Sequence, residues 1–250
     1  NQVVEEMKIK NFGAQGVADA RYVYKDKVNI LIILDASGSM AGQVDGKPMM
    51  DIAKESILDF VAGIPEGANV GLRVFGLEGN TKEDSRSTLL YELQPLNKDK
   101  FNQALAPLSP KGWTPIASAL ADAGKDLAAY PGESSTNLVY LVSDGIETCG
   151  GDPVAAAKAL VDSGAKALVN VIGFKADMEA QRQLKAVAEA GGGLYTNAGN
   201  QAQLKAALNQ TQDMLAQWEA WKKGATQDVN IQKNRQMNET RKFEHLWNEA

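Results

Sequence analysis

Residues Val28–Leu34 constrain this chain more than any other stretch. They read VNILIIL, apolar except for Asn29 and rich in β-branched side chains. Such a run suits a strand buried on both faces inside a parallel sheet. A strand with one face in water would alternate instead. The run stops abruptly at DASGSM, residues 35–40, which is polar and turn-forming. A carboxylate and two hydroxyls therefore follow directly on a buried strand.

The remainder alternates between the two periodicities. Ile52, Ile57, Phe60, Val61 and Ile64 make a helical stripe. Val70–Phe75 reads as a second strand, and Thr88–Leu93 as a third with the alternation of an edge strand. Phe101, Leu105 and Leu108 suit a short helix. Thr114 reads as the N-cap of the next helix with Pro115 at its first position. Ile116, Leu120, Ala123 and Leu127 then share a face. Leu138–Val142 is a further buried strand, ending at Ser143-Asp144-Gly145. Asp152-Pro153 repeats the cap-plus-proline signal. A strand over Ala167–Phe174, a helix over 179–190 and a short strand over Leu194–Thr196 follow. Leu204, Leu208, Leu215 and Trp218 open a last helix.

Alternation of this kind predicts an α/β fold: a doubly wound, mostly parallel central sheet with helices on both faces. The domain is expected over 27–221, after an N-terminal edge segment over 1–26. Residues 222–250 are rich in Gln and Asn, with apolar residues too sparse to bury a core alone. They are read as a helical C-terminal extension.

Composition removes several function classes. The balance of 26 basic against 31 acidic side chains leaves a net charge of −5, which argues against nucleic acid as a partner. Cys149 and His245 are the only residues of their types. An intrachain disulfide, a Cys-rich zinc site and a Ser-His-Asp triad in the core have nothing to build with. No apolar run is long enough to span a membrane. The chain opens on Asn rather than Met. That fits removal of a secretory signal or lipid anchor, and it fits cloning equally. An extracytoplasmic location, secreted, periplasmic or lipid-anchored, is the expectation, with the cytoplasm as the alternative.

Asp35, Ser37 and Ser39 lie just past the first central strand, and Asp144 just past the fourth. With strand order 3-2-1-4-5, those two strands are neighbours at the point where the order reverses, where open α/β sheets bind ligands. Thr114 heads the helix that leads into the fourth strand. Two carboxylates and three hydroxyls are hard oxygen donors. They favour Mg²⁺, with Mn²⁺ or Ca²⁺ as alternatives, over softer ions. The plainer alternatives stay open: Asp35, Ser37 and Ser39 suit an ordinary turn and cap, as does Asp144 before Gly145. Trp113 suits packing as well as facing a ligand.

Asp35-Ala-Ser37-Gly-Ser39, with Thr114 and Asp144 downstream, resembles the metal-ion-dependent adhesion site of von Willebrand factor A domains, the family that includes integrin inserted domains. The likeness runs over roughly Lys27–Trp218. The segments DASGSM, GWTPI and LVSDGIETCGGDP are most similar to bacterial members. The resemblance implies a Rossmann-like fold in which Ser37, Ser39 and Thr114 contact the metal directly. It implies that Asp35 and Asp144 bind directly or through water. Trp113 and Gly145, next to two of these residues, are the candidate ligand-binding neighbours. Many bacterial relatives carry a second cysteine shortly after the position of Cys149. This chain has Val154 in that region, so Cys149 stands as a free thiol.

The expected function is therefore a metal-dependent binding or adhesion module that captures an acidic group of a protein partner, and not an enzyme. Two alternatives remain. One is a subunit of a motor-driven assembly or metal-insertion complex. The other, less favoured, is a metal-assisted hydrolase, which lacks a histidine or lysine in the motif to serve as general base. The sequence leaves the oligomeric state open.

Overall fold

The structure is a computed structural model and describes residues 25–77, 81–210 and 212–224. Strand β1, Lys27–Asp35, is buried from Val28 to its end. It pairs in parallel along its length with β2, Asn69–Phe75, on one side and with β4, Ser135–Ser143, on the other. The sheet continues through β5, Leu168–Phe174, to β6, Gly192–Ala198. On the far side β3, Ser87–Pro95, closes the edge. The order is β3-β2-β1-β4-β5-β6, so the reversal expected between the first and fourth strands is present.

One strand departs from a purely parallel arrangement. β3 runs antiparallel to β2, with register shifts near Leu72. The physical reason is the connection: no apolar stripe separates Phe75 from Ser87 to make a crossover helix, and only a crossover returns a strand in parallel.

Helices cover both faces. α1, Met49–Ala62, lies on one side, where the Phe60 and Tyr140 rings meet with centroids 5.8 Å apart. The helical residues 201–210 lie beside α1, held by hydrogen bonds or ion pairs from Gln201 to Glu55 and from Lys205 to Asp59. The other face packs Leu31, Ile33, Val139, Leu141, Val169 and Val171 against α3, Ile116–Asp126, α4, Pro153–Asp162, and α5, Met178–Ala190. The short α2, Lys98–Leu105, follows β3 and buries Phe101 and Leu105. Asp152 caps α4 as expected, its carboxylate accepting from the amides of Val154 and Ala155. A small hairpin, Gln43–Val44 with Lys47–Pro48, turns on Asp45 and Gly46, both with positive φ as a two-residue turn of this hand requires.

The compact unit that carries the sheet spans Lys25–Asp213. Residues from Met214 on belong to a second unit, of which 214–224 are described; they are helical and bury Met214, Leu215, Trp218 and Trp221. The expected edge segment over 1–26 lies almost wholly outside the described residues. So does the extension over 222–250, beyond its first three positions.

Candidate metal centre

The carboxyl ends of β1 and β4 lie side by side, and their polar residues meet there. Asp35, the last residue of β1, is fully buried. Its Oδ1 accepts from the Ser37 amide at 2.7 Å, and its Oδ2 accepts from the Ser143 hydroxyl at 2.5 Å. The Ser37 and Ser39 hydroxyls are 3.0 Å apart, and Ser39 donates to Asp144 Oδ1 at 2.8 Å. Asp35, Ser37, Ser39 and Asp144 thus form one hydrogen-bonded array across the strand reversal. Gly145 sits at its edge, where a Cβ would stand 3.9 Å from Ser39 Oγ.

Electrostatics at this array are unfavourable as it stands. Burial pushes Asp35 up from 3.8 to about 7, and the nearby Asp144 carboxylate adds to the rise. The hydrogen bonds from Ser143 and Ser37 offset part of it. Burial also raises Asp144, against the hydrogen bond from Ser39. Two like charges in a desolvated corner call for a positive charge between them. Oxygen donors of this kind, two carboxylates with neighbouring hydroxyls, fit a hard divalent cation. Among the described residues no group of three or more His, Cys, Asp or Glu offers a metal site of another type.

Gly76 makes the tight turn of the first loop possible. It has φ +80°, and a Cβ there would stand 2.4 Å from the Ser37 amide nitrogen. The backbone of residues 36–38 is held against this glycine and against the 111–112 segment. Ala36 donates to the Phe75 carbonyl, Lys111 to Ala36, Gly38 to Gly112, and Gly112 to Gly76. Ser37 and Gly112 form an isolated parallel bridge.

That ladder carries Thr114 to the same end of the sheet. Thr114 is buried, but only its backbone is tied down. Its N–H donates to Thr148 Oγ at 2.8 Å, and its carbonyl accepts from the Thr148 amide at 3.1 Å. The expected N-cap role of Thr114 is not observed. The cap position of α3 is Pro115, at φ −84° and ψ 65°, and no local side chain caps the helix. With ψ there outside the helical range, the helix starts one residue later than the Thr-Pro signal suggests, at Ile116. Glu147 supplies the acceptor instead, taking the Ala117 amide on Oε2 at 2.8 Å.

Trp113 is 39% exposed, with Lys82 over its ring at 5.0 Å from the centroid. It is a surface aromatic on the loop that brings in Thr114. Cys149 is free and half-buried. Sequence reasoning missed Ser143 and Glu147. Ser143 was findable, since parallel pairing of Leu34 with Val142 sets it opposite Asp35.

The fold and this end of the sheet define a class. The chain belongs to the von Willebrand factor type A domain family, whose model matches residues 29–216. It is 41% identical over 178 residues to YwmD, an uncharacterised protein of Bacillus subtilis (strain 168), covering 69% of this chain and 79% of that one. A solved structure of an aerotolerance-related membrane protein from Bacteroides fragilis is 25% identical, with a TM-score of 0.58, and the match covers 75% of this chain and 98% of that one. Proximal thread matrix protein 1 of the mussel byssus, solved with a zinc-occupied MIDAS motif, shares the fold at 19% identity and a TM-score of 0.57. That match covers 75% of this chain and 46% of the mussel protein.

Proposed function

We propose that this protein is a divalent-cation-dependent binding module that captures an acidic group of a protein partner. Asp35, Ser37, Ser39, Thr114 and Asp144 would hold the cation. The observation that carries this reading is the single hydrogen-bonded array joining Asp35, Ser37, Ser39 and Asp144 across the β1–β4 boundary. When bound, the cation supplies a positive charge and an open coordination position that attracts a carboxylate. Asp35 fixes the loop by accepting the Ser37 amide, and Ser143 holds the far oxygen of Asp35 in place. Ser39 links the two strand ends through Asp144. Trp113, exposed on the loop before Thr114, and Gly145, open beside Ser39, leave room for a partner to approach.

The mussel protein is described with zinc. The oxygen-only donor set here favours Mg²⁺, with Mn²⁺ or Ca²⁺ able to substitute. Among the described residues no helix is long and apolar enough to cross a membrane. The likeness to a membrane protein of Bacteroides fragilis supports an extracytoplasmic location at the cell envelope.

Calorimetric titration of Mg²⁺ and Mn²⁺ tests the reading. Saturable uptake by the wild type, abolished in Ser39→Ala and Asp144→Asn proteins that remain folded, is the expected result. A folded wild type that takes up neither ion sinks it.

A further inference from the structure

Thr114 differs from the other four donors. Each of those four has its side chain held by a hydrogen bond, Ser37, Ser39 and Asp144 to one another and Asp35 to the Ser37 amide and the Ser143 hydroxyl, whereas Thr114 is held through its backbone. What places it is the loop after Asp144. Thr148 grips both backbone groups of Thr114, accepting its N–H on Oγ at 2.8 Å and donating to its carbonyl at 3.1 Å. Glu147 bridges the same loop to α3. It takes the Ala117 amide on Oε2 and the Cys149 amide on Oε1, at 2.8 and 2.7 Å. The Glu147 amide in turn donates to Gln183 Oε1 on α5 at 2.7 Å. Gly151 lets the loop press this close, since a Cβ there would stand 2.5 Å from the Ala117 methyl carbon. Asp144 stands at the start of this loop. The segment carrying one carboxylate donor therefore clamps the segment carrying a hydroxyl donor.

We propose that Thr148 and Glu147 are positioning residues of the metal site, fixing the Thr114 hydroxyl relative to Asp144. The proposal rests on the divalent-cation reading above. No local cap could do this work, because the helix begins beyond Pro115 and its first turn takes its acceptor from Glu147. Removing the Thr148 hydroxyl leaves the Thr114 amide without its acceptor and frees the donor it positions. Groups that orient metal ligands in this way commonly govern affinity by on the order of 10- to 100-fold.

Mn²⁺ titration of the full chain, with thermal unfolding in EDTA alongside, tests this on Thr148→Val, Thr148→Ser and Glu147→Gln. Thr148→Val should weaken Mn²⁺ binding on the order of 10- to 100-fold while the metal-free protein still unfolds cooperatively. Thr148→Ser, which keeps the acceptor, should restore binding close to wild type. Glu147→Gln should fall between them, and it decides the matter if Thr148→Val does not fold. Wild-type affinity in Thr148→Val, or in Glu147→Gln should that variant decide, overturns the positioning role. So does a Thr148→Ser protein as weak as Thr148→Val. A wild type that binds no Mn²⁺ overturns the metal-site reading itself, a different outcome.

Discussion

The two ends of the central strands solve the burial of polar side chains in opposite ways. At the amino end, Asn69, Asn29 and Asn137 face one another in register across β2, β1 and β4. Asn69 donates to Asn29 at 2.8 Å, Asn29 donates to Asn137 at 2.7 Å, and Asn137 donates to the carbonyls of Tyr130 and Ala165. The ladder is neutral, and each of its three amides is hydrogen-bonded. At the carboxyl end of β1 and β4, buried Asp35 and half-buried Asp144 bring two carboxylates to one corner, and burial raises both, Asp35 to about 7. The same sheet thus has an end whose side chains are neutral amides paired with one another and an end where two carboxylates share one corner. Clusters of carboxylates with raised pKa values are a general feature of functional sites, and the divalent-cation reading proposed above rests on this one.

The largest break in the comparison should come from the amide end. Asn137→Leu leaves Asn29 and two carbonyls short of partners. It should cost about 3–5 kcal/mol in denaturant unfolding, with Mn²⁺ affinity of the folded fraction unchanged. The charged end should respond with the opposite sign. Asp35→Asn removes a buried charge while keeping the shape, so the metal-free protein should gain about 1–2 kcal/mol at neutral pH and lose its metal binding.

The pH dependence sharpens the same contrast. Asp35 holds its proton up to about 7 when folded but only to 3.8 when unfolded. Stability from that retained proton is present at low pH and drains away as pH rises from about 4 to about 7. In EDTA the melting temperature of the wild type, relative to Asp35→Asn, should fall across that window. Saturating Mg²⁺, which binds the ionised form, should reverse the trend. The smallest effect is expected at Trp113. Its exposure predicts that Trp113→Ala shifts unfolding by no more than about 0.5 kcal/mol and leaves Mn²⁺ uptake intact.

Much of this was legible from residue order. VNILIIL reads as an interior strand, and the Ser/Asp-rich break after each of two such strands put Asp35, Ser37, Ser39 and Asp144 at one end of the sheet, where the structure brings them together. The misreading at Thr114 has a specific origin. A Thr-Pro pair looks the same whether Thr is the cap or Pro is the boundary, and the true acceptor, Glu147, comes from a loop distant in sequence. No local pattern encodes such a partner. The direction of β3 was hidden for a different reason. Alternation reports which face is wet and says nothing of strand sense, although the missing helix before Ser87 carried that information.

β1 has a consequence beyond the site it serves. It is hydrogen-bonded to parallel neighbours on both sides along nearly its whole length, and it ends in Asp35. Its amides are shielded from solvent until the whole unit opens, so they should be among the slowest in the molecule to exchange with deuterium. A ligand held at the tip of this strand favours the folded form by mass action. Occupancy would then be written into the molecule's lifetime: loaded copies outlast empty ones wherever proteases sample the opened chain.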